Sequence, residues 1–561
     1  MRSFVTQTAT TPRGLVARGP RLVCGSSAEQ NAECNSTASQ TNSLRYKNMS
    51  QVLDEVVERI EPLPEFLSVM AGSNTPVLLG LDIGTSGVRA ALFDERGREM
   101  AGASVRVARS WPDATEIETF AADRLLEQVA ETLDALFAKL YGLPTRIELI
   151  AVSCFWHSLV GVDENWRATT PVMGWADARA AAAAYQLRSE FDEAKTHART
   201  GCRFHQSYWP AKLRRLRNEE PETFRATTRW LSFAEYLSLH FFGQTAASVS
   251  MASGTGLLNQ RTCEWDEELL AALEVSIESL PEIAAPNKTF HGLRSAYAAR
   301  WPQLCDARLF PGVGDGAANN IGAGCHSIEK LALMIGTSGA LRVCFKGEPP
   351  DRLPAELWCY RADRNRILIG GALSDGGGLY AWLRDSLLRE ENFETIESEL
   401  ELLSPDAHGL TVLPFWSGER STGWNPNARG AILGLTLQTR PIEILRAATE
   451  AVGYRFALIA RALEPFAPGG MLIASGHALR CSPTWVQILA DVLGRRVALS
   501  ETSEASTRGA ALLALEAAGR IGSIEEYTVA VETVFEPNKS HYEIYQKGLE
   551  RQQRLYENLI T

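Results

Sequence analysis

A pentapeptide, Ile-Gly-Thr-Ser-Gly, occurs twice in the chain and constrains its fold more than any other feature. It occupies residues 83–87 and again residues 335–339. Apolar runs typical of buried strands flank both copies, so each copy predicts a strand, a tight turn and a second strand. A repeat of this kind indicates two similar halves, each built around one hairpin of the same design.

The turn residues of both copies are suited to binding phosphate. Glycine lets a backbone approach a ligand closely, and the N–H groups and hydroxyls of a turn can point at one anion. Asp82 precedes the first copy, whereas Met334 precedes the second. A carboxylate can lie beside a phosphate when a cation lies between them, so only the first copy predicts a metal-associated acid. On these residues alone, an ordinary glycine-rich hairpin is the alternative.

Two stretches in the first half carry candidate ligand-binding side chains. His157 directly follows an apolar run that predicts a buried strand, and ligands commonly bind at such strand ends in α/β sheets. Trp175, Asp177 and Arg179 alternate with small residues, so in a strand they would share one face. An aromatic platform, an acceptor and a cation suit a polyhydroxylated ligand. A packed histidine and a surface ion pair beside a half-buried tryptophan are the alternatives. The basic run at 212–217 is interpreted as a solvated helix face.

Asp315 is the second candidate for chemistry in this half. It lies between Gly314 and Gly316, and the small residues that follow could begin a helix. A carboxylate at such a turn could take a proton from a substrate hydroxyl, and the flanking glycines would let substrate and phosphate approach it. A helix N-cap is the alternative.

In the second half, a predicted buried strand ends at Gly476, where an adenosine could lie on the backbone. Gln487 and Asp491 follow one turn apart on a predicted helix and share a face. A plain strand–helix turn is the alternative for this stretch.

The composition of the chain limits its partners. Its 561 residues suffice for several domains, and 45% hydrophobic with 22% charged residues is typical of a globular protein. A net charge of −11 argues against broad binding to nucleic acid or to anionic membranes. The ten cysteines form no Cys-x-x-Cys pair, so we expect reduced thiols of a cytoplasmic protein, neither a disulfide framework nor a zinc site.

The first 48 residues differ from the rest of the chain. They are rich in Ser, Thr and Arg and contain only two acids, which resembles a transit peptide in composition. A disordered tail, or a start placed upstream of the true one at Met49 or Met70, is the alternative that we favour. A short helical pattern between those two methionines has no function that we can assign.

Taken together and in order, these motifs resemble the FGGY carbohydrate kinases of the actin/hexokinase-like ATPase superfamily. The likeness runs from about residue 77 to residue 519. The matching elements are Asp82-Ile-Gly-Thr-Ser86, Trp175-x-Asp-x-Arg179, Gly314-Asp-Gly316, Ile335-Gly-Thr-Ser338, Gly430-x-Ile-x-Gly-Leu435 and Ala474-Ser-Gly476 with Gln487-x-x-x-Asp491.

The resemblance implies an α/β fold of two ribonuclease-H-like domains around a central cleft. It implies a sugar-binding domain at 76–326 and an ATP-binding domain at 327–545, with an extension at 1–75 and a C-terminal helix at 546–561. A small-molecule sugar or sugar acid is the expected partner, without nucleic acid or membrane, and a homodimer is possible. The cofactors implied are ATP and Mg²⁺. The chain has no Gly-x-x-x-x-Gly-Lys loop, which disfavours a P-loop mechanism.

The resemblance also implies roles for individual residues. Asp315 would be the general base, and Asp82 would hold magnesium directly or through water. The sugar pocket would contain His157, Trp175, Asp177 and Arg179. The residues that would bind ATP and its phosphates are Gly84, Thr85, Ser86, Gly336, Thr337, Ser338, Gly476 and Gln487.

The motifs look most like those of gluconate kinases, with xylulose kinases second. A non-kinase ATP-binding regulatory protein is the alternative from another class. Three departures from the pattern stand out: Asp375 replaces an Asn that gluconate kinases tend to carry, His477 replaces a usual glycine, and Trp156 replaces a usual Met. We expect Asp375 to disfavour an anionic substrate, His477 to disturb the adenosine contact and Trp156 to narrow the sugar pocket.

Overall fold

The computed structural model describes residues 77–109, 119–140, 146–502 and 504–560. The expectations for the extension, including the transit peptide and its alternatives, lie outside the described residues.

The described strands, in chain order, are β1 (Val77–Gly84), β2 (Gly87–Phe93), β3 (Glu99–Ala108), β4 (Thr119–Phe120), β5 (Ile147–Cys154), β6 (Val160–Val162), β7 (Val172–Met173), β8 (Arg229–Leu231), β9 (Leu258–Asn259), β10 (Glu264–Trp265), β11 (Arg308–Leu309), β12 (Val313–Gly314), β13 (Lys330–Ile335), β14 (Gly339–Lys346), β15 (Trp358–Arg361), β16 (Arg366–Leu373), β17 (Thr411–Leu413), β18 (Ala431–Leu433), β19 (Met471–Ser475), β20 (Val497–Ser500) and β21 (Val531–Phe535).

The described α-helices are α1 (Ala122–Lys139), α2 (Ala181–Glu190), α3 (Glu193–Thr200), α4 (Trp209–Glu219), α5 (Pro221–Ala226), α6 (Phe233–Phe242), α7 (Val249–Ser253), α8 (Glu267–Leu273), α9 (Ser295–Arg300), α10 (Asp315–Gly322), α11 (Gly377–Leu387), α12 (Phe393–Leu402), α13 (Pro441–Leu463), α14 (His477–Cys481), α15 (Pro483–Leu493), α16 (Ala505–Ala517) and α17 (Lys539–Leu559).

The two large sheets repeat one arrangement. In the first sheet, β1 pairs antiparallel with β2 and parallel with β5, in the order β11-β5-β1-β2-β3, and β12 also pairs with β5. In the second, β13 pairs antiparallel with β14 and parallel with β19, in the order β15-β16-β14-β13-β19-β20-β21. Each pentapeptide contains the turn between the first two strands of its sheet, and its ends belong to those strands. The predicted α/β fold of two similar halves is therefore confirmed.

Each sheet has its own hydrophobic core because both faces of its central strands are covered. Leu79, Ile83, Val88 and Leu92 on the first hairpin are completely buried, in a core that also contains apolar residues of α1 and α16. The second sheet packs with α13 and α15. A smaller cluster fills the region between residues 159 and 283. Near-continuous apolar strands are expected where a sheet is covered on both faces.

Helices α10 and α16 join the two halves at a close crossing. A Cβ atom on Gly322 would overlap the carbonyl of Ala505, and one on Gly509 would overlap the carbonyl of Ala318. Glycine is needed at both positions because the two backbones touch. Although α16 comes late in the chain, its apolar residues belong to the core of the first sheet.

Two local predictions are wrong. Residues 175–179 do not form a strand: β7 ends at Met173, and a short 3-10 helix, Ala178–Ala180, follows because the Asp177 carboxylate accepts the backbone N–H of Arg179 at 3.0 Å and caps it. The basic run at 212–217 is not a solvated face, since Lys212 and Arg215 are buried. No helix among the described residues is long and apolar enough to cross a membrane.

Candidate active site

Arg109 holds the turn of the first hairpin by hydrogen bonds, and the turn residues are accessible to solvent. Arg109 donates from Nη1 to the Thr85 carbonyl at 2.8 Å and from its backbone N–H to the Ser86 carbonyl at 3.0 Å. Gly84 and Thr85 are half-exposed, and Ser86 is exposed. A Cβ atom on Gly84 would meet only the Gly87 carbonyl, at an ordinary 3.6 Å. The protein's own packing therefore does not require glycine at residue 84, which fits a glycine kept for a ligand.

The second hairpin turn is held by backbone groups instead of a side chain. The N–H groups of Gly376 and Gly378 donate to the Thr337 carbonyl at 3.1 and 2.9 Å, and that of Gly377 donates to the Gly336 carbonyl at 2.8 Å. A Cβ atom on Gly377 would lie 2.5 Å from that Gly336 carbonyl oxygen, so the loop before α11 can support the turn only because it is glycine. Thr337 is exposed, while Gly336 and Ser338 are half-exposed.

Asp82 lies in β1 beside the first turn and is 4% exposed. Its Oδ1 accepts the Ser153 hydroxyl at 2.8 Å, and its Oδ2 accepts Arg89 Nη1 at 3.0 Å. Burial raises the pKa of Asp82 above its ordinary value, although Arg89 and Ser153 act in the opposite direction. Arg89 follows in β2 directly opposite Asp82, so the strand register creates this pair.

Asp315 begins α10, where β12 ends beside β5. Its Oδ1 accepts the N–H of Gly316 at 2.8 Å and the N–H of Trp156 at 3.3 Å. Burial raises the pKa of Asp315 to about 6; the charge of Asp82 acts in the same direction, and Arg342 acts against both. A carboxylate with a pKa close to physiological pH is suited to take and return a proton. The position of Asp315 at the start of α10 does not prevent it from accepting a proton, because both of these hydrogen bonds are made to Oδ1.

Trp156 explains the two glycines beside Asp315. The indole lies where side chains of Gly314 and Gly316 would stand: a Cβ on Gly316 would be 2.6 Å from the ring, and one on Gly314 would overlap it. Its Nε1 donates to the Ser250 carbonyl at 2.9 Å, and the residue is buried. Glycine at residues 314 and 316 therefore leaves space for the indole of Trp156, which packs beside Asp315.

His157 follows β5 with a left-handed backbone (φ 67). Its Nδ1 lies 2.5 Å from the Gly254 carbonyl, which can only accept, so Nδ1 carries the proton and Nε2 is left as an acceptor. Burial is the main cause that lowers the pKa of His157 to about 3, so the imidazole is neutral at physiological pH. Rings of Tyr208 and Tyr360 lie against it, with centroids 5.0 and 5.8 Å away.

The predicted trio of Trp175, Asp177 and Arg179 occupies a turn. Asp177 is buried, and its oxygens accept Arg179 Nε at 2.9 Å and Nη2 at 2.6 Å. Burial acts to raise the pKa of Asp177, but the hydrogen bonds from Arg179 outweigh it and hold the pKa below its ordinary value. Arg420, from the second half, places its guanidinium carbon 4.4 Å from the centre of the Trp175 ring. Two guanidinium groups therefore border this turn: that of Arg179 is paired with Asp177, and that of Arg420 also donates from Nη2 to the Leu373 carbonyl at 2.8 Å.

The two residues predicted to contact adenosine lie in different surroundings. Gly476 has φ 100 and packs against the Ile335 carbonyl, directly beside the second turn. Gln487 instead donates to Asp491 Oδ1 at 2.7 Å and to the Glu536 carbonyl at 3.0 Å. These bonds confirm that Gln487 and Asp491 share a helix face, while the contact with adenosine stays a prediction.

Three cations near these residues were not predicted from the sequence. Arg342 comes from β14, yet its guanidinium lies against Gly316 and its charge lowers the pKa of Asp315. Arg420 follows Gly418 and Glu419 in an irregular segment, where no periodicity indicates its direction. Lys212 does carry a signal: helical spacing puts it on the same face as Trp209 and Leu216, and both are buried.

The Asp375 carboxylate is hydrogen-bonded within the second half of the chain. Its Oδ1 and Oδ2 accept the hydroxyl and the N–H of Ser417, both at 2.8 Å. Burial raises the pKa of Asp375, and Arg420 acts in the opposite direction. The carboxylate therefore fixes the segment that carries Arg420.

The described residues form two similar halves, each with a half-exposed glycine turn between antiparallel strands, and a carboxylate with a raised pKa begins α10. These features fit the class of phosphotransferases. Residues 77–322 match the model of the FGGY family of carbohydrate kinases, N-terminal domain, and residues 331–518 match that of its C-terminal domain. The chain belongs to the FGGY family of carbohydrate kinases.

Similar proteins agree with this assignment. The chain is 29% identical to a gluconokinase from Bacillus licheniformis, over 80% of this chain and 89% of the relative. It superposes on the crystal structure of gluconate kinase from Lactobacillus acidophilus with a TM-score of 0.77 and 27% identity, covering 87% of this chain and 98% of that one. A ligand-bound xylulose kinase from the same organism gives the same TM-score and identity, covering 86% and 98%. The alternative of a non-kinase regulatory protein has no support in these matches.

Proposed function

We propose that this carbohydrate kinase transfers the γ-phosphate of ATP to a hydroxyl of D-gluconate. The observation that carries the proposal is the environment of Asp315, a half-buried carboxylate whose pKa lies near 6 beside Arg342 and Asp82. Asp315 would accept the proton of the attacking hydroxyl as the new phosphorus–oxygen bond forms and ADP leaves. Phosphoryl transfer otherwise needs mainly positioning and charge stabilisation.

The two turns would bind the phosphates of ATP. Thr85 and Ser86 in one turn and Thr337 and Ser338 in the other offer hydroxyls and backbone N–H groups, and the half-exposed glycine that begins each turn leaves space for an anion. Gly476 and Gln487 are proposed to contact the adenosine.

Asp82 is suited to a magnesium ion held through water. Its carboxylate oxygens are hard ligands of the kind that Mg²⁺ prefers, but each already accepts one hydrogen bond, which favours an outer position over direct coordination. When bound, the ion would neutralise charge on the transferring phosphates.

We place the sugar against His157, Trp175, Asp177 and Arg179. Neutral His157 offers Nε2 as an acceptor for a hydroxyl, and Trp175 offers a ring face. A sugar acid also needs a cation near its carboxylate. Arg179 shares its charge with Asp177, so Arg179 can orient hydroxyls through its remaining N–H groups, while Arg420 beside Trp175 adds positive charge to the same turn. The similarity to gluconokinases supports gluconate.

The test is ADP release from Mg-ATP in the presence of gluconate, xylulose, ribulose, glycerol or sedoheptulose, each offered separately. The proposal predicts that gluconate supports turnover with the highest kcat/KM. Turnover on a ketose without turnover on gluconate would contradict the substrate assignment and leave the kinase reaction intact.

Xylulose is the second candidate. The ligand-bound xylulose kinase from Lactobacillus acidophilus matches as well in fold and identity as the gluconate kinase from that organism. A ketose has no carboxylate, so Arg179→Lys would change KM for xylulose less than KM for gluconate.

We also propose that the protein acts in the cytoplasm on a small sugar, without a nucleic-acid or membrane partner. The free cysteines of the described residues are consistent with a reducing compartment. Fractionation of the source cells followed by immunodetection tests this; a homodimer stays a prediction that light scattering would check.

A further inference from the structure

Lys212 is a buried cation behind the proposed sugar pocket. It lies in α4 and is 1% exposed. Its Nζ donates to the carbonyls of His157 at 2.6 Å, Met173 at 3.2 Å and Gly174 at 2.8 Å. One ammonium group therefore ties the end of β5 to the end of β7, and these are the two chain segments that carry His157 and Trp175.

Burying the ammonium group of Lys212 costs free energy, so its presence at this position calls for an explanation. Hydrogen bonds to three carbonyl acceptors offset part of that cost here. A purely structural position on this helix face could be filled by an apolar residue, since the neighbouring Leu216 on the same face is buried. Two of the three carbonyls, those of His157 and Gly174, belong to irregular backbone outside the strands. The third, that of Met173 at the end of β7, also accepts the N–H of Leu159 at 3.1 Å.

The backbone of His157 makes this support important. Its left-handed conformation is uncommon for a residue other than glycine, so surrounding contacts must hold it. Lys212 binds the carbonyl of that residue, and Gly254 binds its imidazole. The direction of Nε2 is thereby fixed from both sides.

We infer that Lys212 is a positioning residue for sugar binding, which sets the backbone of His157 and of the Gly174–Trp175 turn from behind the pocket. Its charge also acts, after burial, to lower the pKa of His157 and so keeps the imidazole an acceptor. The inference rests on the proposed sugar pocket. The three hydrogen bonds of Lys212 given above reach neither of the two Ile-Gly-Thr-Ser-Gly turns.

The test compares Lys212→Met with a matched control, Arg446→Met, in the full chain. Arg446 is also a buried cation, in α13, and donates to Glu450, to the Leu400 carbonyl and to the Tyr545 hydroxyl at 2.7 to 2.8 Å. Each variant removes a buried positive charge and leaves three hydrogen-bond acceptors without the donor that this side chain supplied. The melting temperature reports this common loss of stability.

The kinetic readout separates positioning from stability. The sugar is the one that the wild-type enzyme phosphorylates with the highest kcat/KM, so failure on gluconate alone bears on the proposed substrate and not on Lys212. We expect Lys212→Met to raise KM for the sugar about tenfold or more, because small displacements of a binding group have large effects, and to leave KM for ATP within about twofold. Arg446→Met should leave both KM values within about twofold of wild type.

A sugar KM that Lys212→Met leaves unchanged would overturn the inference, as would an equal increase in Arg446→Met. Lys212→Gln, which retains two N–H donors without the charge, should raise the sugar KM in the same direction by less. If Lys212→Met does not fold, Lys212→Gln decides by the same criterion. If neither variant folds, Lys212 supports the whole domain and the inference is wrong.

Discussion

The two Ile-Gly-Thr-Ser-Gly turns have the same sequence, each joins the strands of a hairpin, and each hairpin occupies the same place in its sheet. They differ in the residue before the turn and in the groups that hold the turn. Asp82 stands before the first turn, buried and paired with Ser153 and Arg89. Met334 stands before the second, half-buried and without a charge. The first turn is held by the side chain of Arg109 and the second by backbone N–H groups of a glycine loop.

This difference teaches that a repeated binding motif is specialised by the residues around it. The hydroxyls and N–H groups of both turns suit phosphate equally well, so charge decides what else each can do. Only the first hairpin places a carboxylate beside Asp315, close enough to raise its pKa. On the proposed function, the first hairpin would take part in the chemistry and the second would chiefly bind the nucleotide.

Among changes to the two hairpins, the largest effect should come from removing the charge that distinguishes them. Asp82→Asn should lower kcat by about 10- to 100-fold, the usual cost of losing a group that supports a metal through its outer shell. Met334→Leu, the volume-conserving change at the equivalent position, should leave kcat within about twofold. Steady-state kinetics with Mg-ATP check both. Equal losses in the two variants would remove the asymmetry between the hairpins.

A smaller effect should follow from filling the two turns. Alanine at Gly84 or at Gly336 meets no atom of the protein closer than 3.6 Å, so both variants should fold with melting temperatures near that of the wild type. A methyl group there would stand where a phosphate approaches, so KM for ATP should rise by about tenfold while KM for the sugar changes less.

Gly377→Ala is the contrasting change for this prediction. Its Cβ would lie 2.5 Å from the Gly336 carbonyl oxygen, so this variant should lose about 1–3 kcal/mol of stability as well as ATP affinity. Thermal melts alongside the kinetics distinguish the two outcomes. Unchanged KM for ATP in Gly84→Ala and Gly336→Ala would show that neither turn contacts phosphate.

The smallest change concerns the pH dependence. Asp315 must be ionised to accept a proton, so kcat/KM should be retained above its pKa of about 6 and lost as the pH falls through that value. Arg342 stabilises the ionised form, so Arg342→Met should move the acidic limb to higher pH by about one unit or more. A pH–rate profile for the sugar measures the limb. A limb that stays in place would mean that Arg342 does not face Asp315.

The sequence predicted most of what local pattern controls. The hairpins and Asp315 at the start of a helix were both expected, because glycine turns and apolar periodicity depend on neighbouring residues. The turn at 175–179 was predicted as a strand because alternation alone cannot reveal that Asp177 caps the backbone of Arg179.

The sequence did not predict contacts between distant segments. Arg342 reaches Gly316 only because α10 and the second sheet pack together, and Arg420 reaches Trp175 across 245 residues of chain for the same kind of reason. The position of Lys212 on the face of Trp209 and Leu216 was a local signal for its burial, but a basic run on a helix is normally solvated, so the signal was not used.

The most direct test of the account is the rate of sugar-dependent ADP release by Asp315→Asn, measured beside wild type with calorimetric binding of ATP as the control. Asn keeps the size of the side chain but cannot accept the proton of the sugar hydroxyl. The account predicts that ATP binding is retained and that kcat falls by about 10²- to 10⁴-fold, the range for a general base. A kcat close to that of the wild type, with ATP bound, would contradict the role of Asp315 and the mechanism proposed around it.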